Sequence, residues 1–567
     1  MQAFSPIRSN TFFKGTRNTR LQKAFVGAHP LIAYYIEKLN IPDIFRSYVP
    51  SDKRLIVSVA DCVQVLIHNI LTQHMALYKL PEWLQTIDLS SLKLNAANSA
   101  QFNDDRIART LDSIYKSNRK QILFRIALRS IKIFELSTSA IHHDTTTVKL
   151  CGAYSSWQNE PKADRGHSKD HRPDLKQLVL GLNVTGDGAV PISHEVFSGN
   201  RSDDSIHISN WEHLRGLLQS TEFIYTADSK LCTDKNLSQM EFYDGQYITI
   251  MPRTWKEDQQ FREKAQAGKV RWRLIYQHPS SRHPDSVIDK YSTTALQFLN
   301  KNTRRIVWIK SSQKAEADRI VRSERIQNSF EALKILNTKI NRRKLKRRRD
   351  IQRAVRQILQ EHKTTPLISW KLDKRIVTTS QYVATGRPSK TSARKVIRQT
   401  EFCIKWSLDP KEISRQSRTD GVFPLITNNM DKSAAEVLKT YKFQSFLENR
   451  HSQLKSVLQI APVFLKKPPR VLALVDIVVL SLVVATLMER DLRKAMLRNK
   501  IESLPVYPEQ RECKYPTTQS IIRVFSDVEK FEVRDKDGKE NEYFPPALSQ
   551  LQKQILDLME VPQNIFM

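Results

Sequence analysis

The run Ile141-His142-His143-Asp144-Thr145-Thr146-Thr147-Val148 opens the stretch whose reading decides the fold. It follows a helical region and reads as a strand. Leu178 to Val184 is a near-continuous apolar run, and Val190 to Phe197 is another strand. Between the last two, Thr185-Gly186-Asp187-Gly188 is a strong hairpin signal. An amphipathic helix comes next, with Ile208, Trp211, Leu214 and Leu217 or Leu218 on one face. Phe223 to Ala227 then forms a strand ending at Asp228, and Tyr247 to Met251 a further strand closed by Pro252.

The order is therefore strand, strand, strand, helix, strand. Three antiparallel strands, a crossover helix and a parallel strand make the topology of a ribonuclease-H-like core. In that topology the first and fourth strands are neighbours. Asp144 and Asp228 sit at the ends of those strands and are expected to meet, although 84 residues separate them.

A third acid, Glu448, lies in Tyr441-Lys442-Phe443-Gln444-Ser445-Phe446-Leu447-Glu448, with Lys455 beyond it. Ser433-Ala434-Ala435-Glu436 is a capping-box pattern that starts a helix. The helical reading continues to Pro462, with a break near Thr440. At about 100° per residue, Tyr441, Gln444, Glu448 and Lys455 fall within roughly 60° of arc. Phe446, Leu447, Leu454, Val457 and Leu458 form an apolar stripe elsewhere on the helix. A solvated helix with an ordinary apolar back gives the same pattern. Three well-separated carboxylates suit two divalent metals and phosphoryl transfer on DNA.

Composition agrees with a polyanionic partner. Lys plus Arg number 91 against 59 Asp plus Glu, a net charge of +32. Nucleic acid is the usual partner for such an excess. The hydrophobic content, 40%, argues for folded domains and against a basic tail. Cys62, Cys151, Cys232, Cys403 and Cys513 form no C-x-x-C pair, so a structural zinc site is not expected. Scattered cysteines fit a reducing cytoplasm, and Met1 to Phe25 shows no signal-peptide core. Val471 to Met488 is apolar enough to resemble a membrane span but contains Asp476; it reads as a buried helix, with no membrane partner.

The expected layout is α/β. A basic arm (1–27) precedes a helical domain (28–135) for DNA binding or dimerisation, capped at Asn103 or Asp104. A ribonuclease-H-like mixed sheet with helices follows in two parts, 136–253 and 419–498, the second opening with a strand at Asp420 to Asn428. A basic α+β insertion domain (254–418) interrupts it, and a segment at 499–567 ends the chain. The insertion contains Arg342, Arg343, Lys344, Lys346, Arg347, Arg348 and Arg349, seven cations in eight residues, expected to contact the DNA backbone.

Tyr441, Gln444, Glu448 and Lys455 match the pattern Y-x2-R-x3-E-x6-K in every spacing, with Gln in place of Arg. This resembles the signature of bacterial DDE transposases of insertion-sequence family four. Asn103-Asp104-Asp105-Arg106-Ile107-Ala108-Arg109-Thr110-Leu111-Asp112, Gly166 to Asp174, Gly199-Asn200, Asp420-Gly421 with Thr427-Asn428, and Leu504-Pro505-Val506-Tyr507-Pro508 resemble one long subgroup of it. The resemblance runs from about residue 28 onward. It implies a catalytic and metal-binding triad of Asp144, Asp228 and Glu448 holding two Mg²⁺ or Mn²⁺ ions. It implies Tyr441, the position of Gln444 and Lys455 as DNA-positioning groups. It further implies double-stranded DNA as substrate (terminal inverted repeats and target), a homodimeric synapse and a bacterial, nucleoid-associated setting. Gln444 cannot supply the bidentate charge of an Arg.

Other readings compete. His142-His143 could belong to a histidine metal site, and Asp234 could replace Asp228. Asp174 and Asp203-Asp204 read as loop or cap residues. Gly386-Arg387-Pro388 is a weak minor-groove motif. Trp255, Trp272, Trp308, Trp370 and Trp406 suit core packing or a base-stacking wedge. A non-catalytic DNA-binding derivative and a nuclease with the same core are the functional alternatives.

Overall fold

The structure, a computed structural model, describes residues 20–50, 56–94, 98–152, 154, 157, 161–166, 172, 174–201, 206–279, 288–295, 298–299, 303–342, 345–383, 393–460, 465–534 and 540–567. The chain divides into two units, Met1–Thr249 with Lys439–Met567, and Ile250–Leu438.

In the first unit β1 (Arg20–Phe25) leads into a helical region. Ser58 and Asp61 form a capping box at the start of the buried helix Val59–Thr72. Asn103, one of the two expected caps, accepts from Arg106 N–H and starts the helix Asp104–Lys116. Apolar residues recur at helical spacing from Arg106 to Phe134, but Ser117 ends the first helix and Asn118 caps a second, Arg119–Ile133. An asparagine there offers the backbone a local acceptor that competes with helix continuation.

The central sheet comprises β2 (Ala140–Leu150), β3 (Lys176–Thr185), β4 (Pro191–Ser198), β5 (Ile224–Ala227) and β6 (Gln246–Ile250), in the order β4-β3-β2-β5-β6. β2, β3 and β4 are antiparallel neighbours, while β5 runs parallel to β2 and β6 parallel to β5. The helix His207–Leu218 makes the crossover, with Trp211, Leu214 and Leu217 buried. This mixed α/β order is compatible with the ribonuclease-H-like core that the sequence predicts.

The helix Pro468–Arg498 is long and apolar enough to cross a membrane, yet it is almost wholly buried in the unit. It packs on the helices Val59–Thr72 and Asp104–Lys116 and on β4. Its buried charges are all paired. Asp476 binds Arg119 at 2.7 Å and His194 Nε2 at 2.9 Å, Glu489 binds Arg450 at 2.5 Å, and Arg490 binds Asp187 at 2.6 Å. Burial raises the Glu489 carboxyl, but Arg450 and Arg493 outweigh it and hold it below its ordinary value.

In the second unit β7 (Arg273–Pro279), β8 (Ile288–Thr293), β9 (Phe298–Leu299) and β10 (Arg305–Ser311) precede a two-stranded ribbon, β11 (Ile368–Tyr382) with β12 (Arg394–Leu408). The basic helical region of the sequence becomes two helices, Ser312–Lys339 and Arg348–Glu361. β13 (Val422–Thr427) is the strand expected at Asp420 to Asn428, and it runs antiparallel to β10 from Arg305↔Thr427 to Lys310↔Val422. Its Val422, Leu425 and Ile426 are buried, as are Ile306, Trp308 and Ile309 of β10. The preceding Asp420-Gly421 has a local cause. Asp420 pairs with both terminal nitrogens of Arg322 at 2.7 Å, and Gly421 has φ +74°, where a Cβ would lie 2.3 Å from Ser311 O. Finally, β14 (Glu529–Arg534) pairs with β1 and with β15 (Glu540–Phe544) in a small sheet of the first unit.

A buried histidine pair makes the first unit acid-sensitive. His29 Nδ1 lies 3.1 Å from His68 Nδ1, so one ring donates and the other accepts. Burial, partly opposed by Asp88, lowers His29 to about 3, and burial with its neighbour lowers His68 well below the ordinary value. The unfolded chain takes up these protons near pH ~6.5 and the folded chain does not, so acidification favours unfolding. Stability is expected to fall below about pH 6.5, by up to ~1.4 kcal/mol per pH unit per histidine. Urea unfolding followed across this range checks it, and His29→Gln/His68→Gln should flatten the slope.

Candidate active site

The parallel pairing of β2 and β5 sets Ala140 opposite Ile224, Ile141 opposite Tyr225 and His142 opposite Thr226. Carried on by two residues, this register puts Asp144 level with Asp228. Asp144 lies in the middle of β2, where a strand end was expected, and Asp228 lies just past β5. The strand is longer because β3 continues to pair with it up to Leu150↔Lys176.

Asp144 accepts from Thr145 N–H at 2.7 Å and stands 3.6 Å from His451 Nε2, with 23% of its side chain exposed. Asp228 accepts from Lys230 N–H at 3.0 Å and stands 3.9 Å from His207 Nε2, with its side chain 49% exposed. Its carbonyl accepts from the Thr249 hydroxyl at 2.6 Å. Both histidines are buried.

Glu448 comes from a helix that is not continuous. One segment ends at Lys442, another runs Gln444–Ser452, and a π-helical turn spans Gln453–Val457. Tyr441 is on the first, Gln444 and Glu448 on the second, and Lys455 in the π turn, a form common at functional sites. The regular stripe expected from the sequence is thereby broken. Gln444 is buried: its amide nitrogen donates to His143 O at 2.8 Å, and its amide oxygen accepts from His142 Nδ1 at 3.2 Å. It fastens the helix to the strand that carries Asp144. The expected DNA-positioning role of Gln444 does not fit this placement, because both ends of its amide are taken by β2. The nearby Arg450 is buried on Glu489, Gly188 O and Ala189 O.

Glu448 is exposed and Tyr441 half-buried. Burial, then the charges of Asp228, Glu448 and Asp144, push the Tyr441 phenol up to about 12. One tyrosine thus feels all three carboxylates. The acids do not close on one another: among the described residues, no three His, Cys, Asp or Glu side chains gather as a metal-holding group.

Under the acids runs a buried polar network. His143 Nδ1 donates to Asn183 Oδ1 at 3.0 Å, Asn183 and Asn210 exchange bonds at 2.7 and 2.8 Å, and Asn210 donates to the Tyr225 hydroxyl at 2.9 Å. That hydroxyl lies 3.3 Å from His207 Nδ1. Gly181 makes room for the first ring; a Cβ there would sit 3.1 Å from His143 Cε1. Burial lowers His142 to about 4 and His143 to about 3, so both rings are neutral and held by amides. His207, Asn183 and Asn210 were not singled out from the sequence; an asparagine inside the apolar run LVLGLNV is the signal that marks the network.

Of the other candidates, Asp234 is in the first turn of the helix Asp234–Phe242, and Asp174 pairs with Arg172. Trp308 is buried and stacks on Phe261, with centroids 3.7 Å apart. Arg342, Lys346 and Arg347 are exposed between the two helices of the second unit, and Arg348 and Arg349 are exposed at the start of the second helix. Arg343, Lys344, 167–171, Pro173, Asp203-Asp204 and Gly386-Arg387-Pro388 lie outside the described residues.

The family described as Domain of unknown function (DUF4277) matches residues 21–128. No curated protein matches the chain. A piggyBac transposase synaptic complex with hairpin DNA is similar over 88% of this chain and 79% of its own, at 8% identity and a TM-score of 0.37. A likeness that loose assigns neither a fold nor an activity.

The clasp is open to test. Gln444→Ala leaves His143 O and His142 Nδ1 buried without that amide and is expected to cost about 1–3 kcal/mol. Urea unfolding measures it, and Gln444→Glu, which would bury a carboxylate against the His143 carbonyl, should cost at least as much.

Proposed function

We propose that the chain is a DDE transposase that cuts DNA at the ends of an insertion sequence and joins the freed strand to target DNA. The observation that carries the reading is the register that levels Asp144 with Asp228, together with a helix fastened to the same strand and bearing Glu448. The charge of the chain, +32, supports a DNA substrate.

The three carboxylates suit a hard divalent cation by donor chemistry, all anionic oxygen, and the charge of each reaches Tyr441. Asp144, Asp228 and Glu448 would hold two Mg²⁺ or Mn²⁺ ions. When bound, such ions stabilise charge on the attacking and leaving oxygens of an in-line displacement. Tyr441 stays protonated at neutral pH, so its phenol can donate to a phosphate oxygen. Lys455 supplies a cation from the π turn for the adjacent backbone. His142 and Gln444 act at one remove by fixing the helix, and the buried network under β2 and β5 fixes the strands. The chemistry proposed is hydrolysis of a phosphodiester at the element end, followed by attack of the 3′-hydroxyl on a target phosphate. Two ends brought together call for two copies of the chain.

A plasmid excision assay with the full chain and flanking DNA tests this. Excision with reinsertion supports the transposase, nicking alone a nuclease, and binding alone a DNA-binding derivative. Asp144→Asn is expected to lower cleavage on the order of a thousandfold, the rate equivalent of several kcal/mol of charge stabilisation. Duplex binding should be retained. Cleavage at the wild-type rate in this variant overturns the assignment.

A further inference from the structure

The ribbon of the second unit has two unlike halves. It pairs fifteen residues of each strand, from Ile368↔Leu408 to Tyr382↔Arg394. In the near half, Ile368, Trp370, Leu372, Ile404 and Trp406 point to one face and join the core built by the two helices. It holds four cations against two acids, with Lys405 on Asp373 at 2.7 Å and Arg375 on Glu401 at 2.8 Å.

The far half, Ile376–Tyr382 with Arg394–Thr400, is outside that core and accessible on both faces. Ile376 and Val396 are 66% and 60% exposed. A bare two-stranded hairpin is marginal in water, so a ribbon held out this way is built to be covered. The far half contains Arg394, Lys395 and Arg398 and no acid, and its other groups are hydroxyls and amides such as Thr378, Ser380 and Gln399.

A second observation gives the same sign of partner. Asn341 accepts from Phe402 N–H at 2.8 Å and donates to Phe402 O at 2.9 Å, and Asn337 accepts from Ile404 N–H at 2.9 Å. These amides tie the end of the helix Ser312–Lys339 to the edge of β12. The turn that follows, with exposed Arg342, Lys346 and Arg347, is therefore fixed at the root of the ribbon and leads into the helix that begins with exposed Arg348 and Arg349.

We infer that the far half of this ribbon lies in the major groove of duplex DNA, while the basic turn at its root grips the phosphates beside the groove. The inference rests on the reading of the chain as a DNA-acting enzyme and names the element that engages the duplex. A major groove about 12 Å wide and about 8.5 Å deep admits a two-stranded ribbon. Seven far pairs at about 3.3 Å per residue span roughly 23 Å. Charge disfavours a second copy of the ribbon as the occupant, since cations would face cations. A single strand would want an aromatic platform, and Tyr382 already has Arg394 over its ring, 4.7 Å from the centroid.

The test uses the full chain and a triple variant, Arg394→Ala/Lys395→Ala/Arg398→Ala, matched for circular dichroism and melting. Binding to a short mixed-sequence duplex is followed by fluorescence anisotropy over a salt series, with and without methylation of guanine N7. The variant is expected to bind at least about tenfold more weakly. Its log–log salt slope should drop by about 0.9 for each cation lost. Guanine N7 methylation should weaken the wild type and leave the variant little changed. An unchanged slope, a wild type indifferent to N7 methylation, or a variant altered only in self-association overturns the inference. Metal-dependent nicking, measured in parallel, separates the two readings. If the ribbon assignment alone is wrong, nicking that depends on Asp144 persists; if the enzymatic reading is wrong, nicking is absent while ribbon-dependent binding remains.

Discussion

The candidate site depends on one piece of backbone pairing, the parallel register of β2 with β5. Side chains alternate across a sheet, so a slip of one residue would send one of the two aspartates to the opposite face. That register is specified well beyond the acids. Ile141, Tyr225 and Ala227 are buried around it, and β3 binds β2 over ten consecutive pairs on the other side. The crossover helix His207–Leu218 then supplies Trp211 to cover the sheet and Asn210 and His207 to meet its polar groups. The acids sit where they do because the apolar and polar partners of their neighbours leave the strands no other alignment.

The layer beneath the acids is polar, which is costly unless every member is bonded. Asn183, Asn210, Tyr225 and His143 bond to one another across three strands and a helix. Gln444 does the same for the helix that bears Glu448. Neutral imidazoles are central to this arrangement: a charged His143 would add a cation with no counter-charge bonded to it, and burial keeps it neutral. The network converts sequence-distant segments into one rigid support, which is what positioned carboxylates require.

Much of the first unit's sheet was legible because its signals are local. Strand periods, the Thr185-Gly186-Asp187-Gly188 turn and the crossover helix are written in short windows, and the acids follow from them. Gln444 was not legible. On a helical wheel it shares a face with Tyr441 and Glu448, and the break read near Thr440 does not tell that the helix restarts at Gln444 and turns π at Gln453. Its partners, His142 and His143, are some three hundred residues away. Periodicity reports which residues want burial; it does not report against what.

Viewed this way, the missing arginine of the Y-x2-R-x3-E-x6-K pattern takes on a different meaning. A guanidinium at position 444 would have to bury a charge against His142 and a backbone carbonyl, with no carboxylate bonded there to meet it. An amide offers one donor and one acceptor, matching the His143 carbonyl and the His142 ring nitrogen in turn. Glutamine is therefore the residue that this β2 demands, given the histidine two positions before Asp144. The histidine and the glutamine form one unit, and under the proposed transposase reading the residue at 444 bears on how Glu448 is held. Under that reading the cations for gripping phosphate come from elsewhere in a chain of this charge, and the second unit displays several on an exposed ribbon and at its root.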